Sequence, residues 1–243
     1  MQSQHIVKLF DEELKYLKTR IASMGGHAER MVEQSVAALV GRDLGLAAKV
    51  VEDDIVLDEG QREVDDRAIL IIAKRQPMAD DLREIIGAIR ISADLERVGD
   101  LGKNIAKRVT AIAEKGQPVS LARGLQALAE LALTQLKEVL DIYASRQVER
   151  IALLRDRDED IDAMYTSLFR ELLTYMMEDP RNITGCTHLL FCAKNIERIG
   201  DHATNIAETV YYIATGDQMP PERPKEDKSH RVTLASDDQA LAK

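Results

Sequence analysis

The chain has 243 residues, 45% hydrophobic and 31% charged, a globular balance that excludes wholesale disorder and leaves enough length to bury a core without disulfide staples. Aromatics make up only 4%, Trp is absent and there are six prolines, which favours long helices over a many-turned β-sandwich or barrel. With 33 basic against 42 acidic residues the net charge is −9, so no global field recommends nucleic acid or an anionic membrane as a partner.

Prolines and weaker polar breaks divide the chain into six segments with a helical apolar period, at about 4–40, 43–75, 79–114, 120–144, 148–177 and 182–215. Each spans roughly 40–55 Å at 1.5 Å per residue, and long helices with short connections fold back as antiparallel neighbours. Gly25-Gly26 in the first and Gly60 in the second are expected weak points where a helix could kink. Gly216 reads as a C-terminal cap, and the polar, proline-rich 217–243 reads as a flexible tail. The start, Met1 to His5, lacks an apolar signal core, and no run approaches the roughly 18 apolar residues of a membrane span, so membrane insertion is not expected. Cys186 and Cys192 sit six residues apart on different faces of one helix and cannot bond to each other, which fits a reducing cytoplasm.

The chain repeats itself. Residues 95–107 and 196–208 agree at seven of thirteen positions, from Glu96/Glu197 and Arg97/Arg198 through Gly99/Gly200 and Asp100/Asp201 to Asn104/Asn205, Ile105/Ile206 and Ala106/Ala207, at a constant offset of 101. Pro77/Pro180 nearly keep the offset, as do the acid pairs Asp54/Asp58 and Asp158/Asp162. The expectation is an all-α fold of two repeated three-helix bundles, 4–115 and 119–216, with the helices in the same order.

Both copies keep Glu-x-x-x-Asp, which places two carboxylates on one helix face a turn apart. Helical phase puts Glu96, Asp100 and Asn104 opposite the stripe of Leu95, Val98, Ile105 and Val109, and does the same for Glu197, Asp201 and Asn205. These acids are therefore expected to face outward, and a solvated face is the ordinary explanation for such residues. Their repetition points further, because like charges at this spacing repel. Helices two and five carry the same spacing in Asp54-x-x-x-Asp58 and Asp158-x-x-x-Asp162. Packed beside helices three and six, they would gather four carboxylates per bundle, a hard-oxygen set suited to Mg²⁺, Ca²⁺, Mn²⁺ or iron. Neighbouring positions differ between the copies, among them Leu101/His202 and Lys103/Thr204.

Other chemistries lack their signatures. There is no Glu-x-x-His pair of a buried di-iron centre and no His-Glu-x-x-His of a zinc protease. Neither a Gly-rich phosphate loop nor a nucleophile elbow appears. His202 reads as a surface histidine, and Met176-Met177 as core filler.

Arg75-Gln76-Pro77-Met78-Ala79-Asp80-Asp81-Leu82-Arg83, Asp94-Leu95-Glu96-Arg97-Val98-Gly99-Asp100-Leu101 and Glu197-Arg198-Ile199-Gly200-Asp201-His202-Ala203 resemble the PhoU family of bacterial phosphate-transport regulators. Phe10-Asp11-Glu12-Glu13-Leu14 and Val51-Glu52-Asp53-Asp54 fit as well, and the likeness covers about residues 5–216. It implies two three-helix bundles side by side, with metal at Asp54, Asp58, Glu96, Asp100, Asp158, Asp162, Glu197 and Asp201. It also implies a non-enzymatic cytoplasmic regulator that links a phosphate transporter ATPase to a sensor histidine kinase and represses the phosphate-starvation response. Gly60 and Lys74 depart from the family pattern. A carboxylate-metal hydrolase or oxidase is the competing class, although outward acids shelter little water for such chemistry. Leftover apolar helix surface suggests a homodimer.

Overall fold

Helical periodicity decides the secondary structure, and every element in the described residues (2–113 and 119–219 of a computed structural model) is helical. In order these are α1 (Gln2–Gly41), α2 (Leu44–Asp53), α3 (Ile55–Arg75), α4 (Asp80–Ala113), α5 (Val119–Ser145), α6 (Ile151–Glu178) and α7 (Ile183–Thr215). Single 3-10 turns, Val148–Arg150 and Pro180–Asn182, lead into α6 and α7. Local chemistry sets the ends. The Asp43 carboxylate accepts the Leu46 N–H at 2.9 Å and starts α2. Gly216, at φ 80°, closes α7 with its N–H on the Tyr212 carbonyl, the C-cap expected of it. Residues 220–243, most of the expected tail, lie outside the described residues, as does the connection 114–118.

One expected element is divided. The second helix is interrupted at Asp54 and not at Gly60, and the six expected helices become seven. Gly60 instead lies buried within α3, where an added Cβ would stand 2.9 Å from Met24 Cγ. The missing side chain lets α3 approach α1, so Gly60 serves packing, and α3 runs through it without a break. Gly25-Gly26 likewise leave α1 unbroken.

α1, the α2–α3 pair and α4 pack on one another, as do α5, α6 and α7. α4 against α7 and α1 against α5 join the two sets. Leu, Ile, Val and Ala fill a single continuous core across the junction, from Ile21, Ile91 and Ile105 to Leu136, Ile196 and Ile206. Each fully buried Leu or Ile contributes about 1.5–3 kcal/mol of transfer free energy. Along the α4–α7 seam the helices run antiparallel and the contacts come in mates. Gly87 receives Thr209 and Ile213, and 101 residues on, His188 accepts a hydrogen bond from Arg108 at 3.2 Å. Since Thr209 is 101 residues after Arg108, the pairs 87·209 and 108·188 are one contact repeated by an internal two-fold relation. No described helix is long and apolar enough to cross a membrane. Cys186 and Cys192 are free and buried, and burial pushes both thiols up, Cys192 to about 12.

Candidate functional site

In the first half the acids converge on the seam between α3 and α4. Leu57, between Asp54 and Asp58, drops onto Gly99, between Glu96 and Asp100, and a Cβ there would lie 2.3 Å from Leu57 Cδ1. The repeated glycine thus marks the helix crossing, and the crossing brings the two acid pairs together. Asp54 stands at the break between α2 and α3. Its side chain does not cap α3. It turns to α4, where the Lys103 ammonium donates to Asp54 Oδ2 and Asp100 Oδ1, each at 2.5 Å. Arg97 donates to Asp100 Oδ2 at 3.1 Å and lies 3.5 Å from Glu96. Burial raises the Glu96 carboxyl above its ordinary value; Asp100, Asp58 and Asp54 add to this and Arg97 opposes it. Burial also works against the charge on Lys103, but its hydrogen bonds to Asp100 and Asp54 outweigh that and hold it above the usual lysine range.

The second half repeats the crossing with different chemistry. Ile161, between Asp158 and Asp162, sits over Gly200, where a Cβ would be 3.0 Å from Ile161 Cδ1. The position aligned with Lys103 is Thr204, whose hydroxyl donates to Asp158 Oδ1 at 3.2 Å. It accepts from Gln135 Nε2 of α5 at 2.9 Å, and Gln135 is fully buried. A relay of three side chains therefore runs from the core to Asp158. Lys194 meets Glu197 at 2.8 Å and stands 4.9 Å from the centre of the Tyr165 ring.

The acids do not all face outward. Asp54, Asp162 and Glu197 are only 8%, 6% and 5% exposed, and Glu96 is half-buried. Helical phase describes one helix against one stripe, but a third helix covers a second flank. Glu96 lies three residues, about 60° around α4, from the Gly99 face on which α3 rests. His202 is likewise no free surface residue: its Nδ1 donates to Asp94 Oδ1 of α4 at 2.9 Å, with Asn205 Nδ2 3.4 Å from the same oxygen. Among the described residues no three His, Cys, Asp or Glu side chains stand together as ligands for a metal ion. In the first half the ammonium lies between Asp54 and Asp100, so a cation bound by both has to displace it. Sequence reasoning missed Lys103, Gln135, Asp94 and the role of Gly99 and Gly200. The signals were the Lys/Thr difference between copies and a lone Gln at a core phase of α5.

A sequence model of the PhoU domain matches residues 21–109 and again 125–210. The chain belongs to the PhoU family. A phosphate-specific transport system accessory protein PhoU homolog of Rhizobium meliloti is 68% identical over 237 residues, 98% of this chain and 100% of the relative. One of the same description from Caulobacter vibrioides is 47% identical over 93% of this chain and 98% of its own. Among solved structures, PhoU from Pseudomonas aeruginosa superposes with a TM-score of 0.80 at 36% identity, covering 86% of this chain and all of that one. The phosphate transport system regulatory protein PhoU from Streptococcus pneumoniae gives the same TM-score at 26% identity, over 87% of this chain and all of its own. The all-α fold of two repeated three-helix bundles is therefore that of PhoU structures.

Proposed function

We propose that this PhoU-family protein is the accessory regulator of a phosphate transport system, acting in the cytoplasm without chemistry of its own. It couples the transporter ATPase to a membrane sensor histidine kinase and represses the phosphate-starvation response while phosphate is plentiful. The observation that carries this reading is the full-length, 68% identity to a relative described as such an accessory protein. Exposed Ile55 and Ile69 on α3 and exposed Met78 in the connection to α4 offer apolar area that a partner protein or a second copy would cover.

The carboxylates belong to the same proposal: Asp158, Asp162, Glu197 and Asp201, and of the first half Asp54, Asp58, Glu96 and Asp100 only where the Lys103 ammonium gives way, are the groups that would hold Mg²⁺, Mn²⁺, Ca²⁺ or iron. A bound cation would screen their mutual repulsion and tie each pair of helices together. Capture from phosphate-replete cells with the full-length chain tests the adaptor role. It is expected to recover a transporter ATPase and a histidine kinase, and recovery of neither, in replete and starved cells alike, overturns it. Light scattering at the monomer mass across a wide concentration range would remove the homodimer.

A further inference from the structure

We propose that Lys103 is the resident cation of the first carboxylate cluster, and that its ammonium is what excludes a metal ion from Asp54 and Asp100. This rests on the metal reading of the carboxylates and narrows it to a difference between the two halves. Three observations carry it. First, Nζ stands 2.5 Å from one oxygen of each carboxylate, so it fills the place that an ion bridging both would need. Second, the ammonium is tethered. Lys103 lies on α4 three residues after Asp100, so a short stem delivers it with no loss of translational freedom, whereas a free ion pays that cost on binding. Third, Asp54 has given up the local alternative. It stands immediately before the first turn of α3 yet makes no side-chain cap, and its carboxylate points across to α4 instead.

Thr204 occupies the aligned position in the second half and brings a hydroxyl without charge. In the first half the ammonium also fastens the α2–α3 break onto α4.

The experiment uses the full-length chain with Mn²⁺ as probe, following loss of the free-ion electron paramagnetic resonance signal together with the melting temperature. Asp158→Asn with Asp201→Asn silences the second cluster in one background. In that background the chain with Lys103 intact is expected to take up no Mn²⁺. Lys103→Met should acquire a site at least about tenfold tighter, with an Mn²⁺-dependent rise in melting temperature. Lys103→Arg, which keeps the charge, should stay closed. Lys103→Gln serves as the second neutral version should Lys103→Met lose its helical circular dichroism. Equal Mn²⁺ uptake with Lys103 and without it overturns the proposal, as does a folded neutral variant that gains no site. Failure of the broader metal reading looks different: neither the unmodified chain, with its second cluster intact, nor any neutral Lys103 variant then takes up Mn²⁺, whereas failure of this proposal alone leaves uptake by the unmodified chain in place.

Discussion

The two carboxylate clusters come from one repeated helix crossing and differ in what answers their charge. In the first, an ammonium on α4 spans Asp54 and Asp100. In the second, a threonine at the aligned position passes a hydrogen bond from buried Gln135 to Asp158. The geometry is carried by residues the copies share in kind, Leu57 on Gly99 and Ile161 on Gly200. The electrostatics are carried by residues that have diverged. Shape is thus kept twice while chemistry is free to differ, and the variable positions inside a repeat say more about each site than the identical ones.

The largest expected effect breaks the crossing itself. Leu57 and Ile161 are each 1% exposed, so Leu57→Ala and Ile161→Ala should each cost about 2–5 kcal/mol in urea unfolding. A much smaller loss at either site would mean that its helix is not seated on the glycine. Next comes the answering charge. Lys103→Met leaves two partly buried carboxylates facing each other and should cost about 1–3 kcal/mol. Thr204→Val removes both hydrogen bonds of the relay and leaves the Gln135 amide without its acceptor, for about 1–2 kcal/mol. The two losses should respond differently to salt, that of Lys103→Met shrinking in 1 M NaCl as charges are screened over about 3 Å and that of Thr204→Val persisting.

The glycines sharpen the comparison. Alanine in a helix interior gains about 1 kcal/mol over glycine, but overpacking a core contact costs about 1–3. Gly99→Ala brings a Cβ to 2.3 Å from Leu57 and should be a net loss of about 1 kcal/mol, while Gly200→Ala, at 3.0 Å from Ile161, should be close to neutral. Thermal melts of the two variants side by side check this.

The smallest effect sits on α3. At the 104-residue offset of the acid pairs, Asp65 aligns with Phe169, which packs on the core of the second half. Burial, and then Asp66, raise the Asp65 carboxyl above its ordinary value. A carboxyl raised on folding penalises the folded state once it ionises, fully above its folded pKa and not at all below the unfolded one. Asp65→Asn should therefore raise the urea midpoint at pH 7, and the gain should fade as the pH falls into the ordinary carboxylate range. A gain that does not change with pH would assign the effect to something other than charge.

Much of this was legible in the residues. Apolar period and scarce prolines gave the helices, and the constant offset of 101 gave the internal two-fold relation seen at 87·209 and 108·188. The acid pairs could be placed on neighbouring helices, and in the first half Asp54, Asp58 and Asp100 all bear on the Glu96 carboxyl. The break at Asp54 was hidden because nothing in Glu52-Asp53-Asp54-Ile55 stops a helix locally; the position is set by contact with α4. Burial of the acids was misjudged because a helical wheel knows nothing of the third helix. The parts played by His202 and Lys103 were hidden for another reason: a difference between copies reads as noise until the partner on the neighbouring helix is known.

That seam also bears on how a duplicated chain avoids mistaking one copy for the other. α4 and α7 are similar enough that two α4 helices from different molecules could be imagined side by side in a swapped assembly. Such a pair would set Asp94 against Leu101 and Asn104, keeping the counterpart of Asn205 but losing the imidazole that His202 offers in the true seam. It would also bring Arg108 onto Gly87, which supplies neither the imidazole acceptor of His188 nor the ring of Phe191, 4.3 Å from the guanidinium. An acid without its imidazole and an unanswered guanidinium disfavour the exchange. After the duplication, then, divergence at positions 94, 101, 188 and 202 made each half prefer its sibling in the same chain to its twin in another.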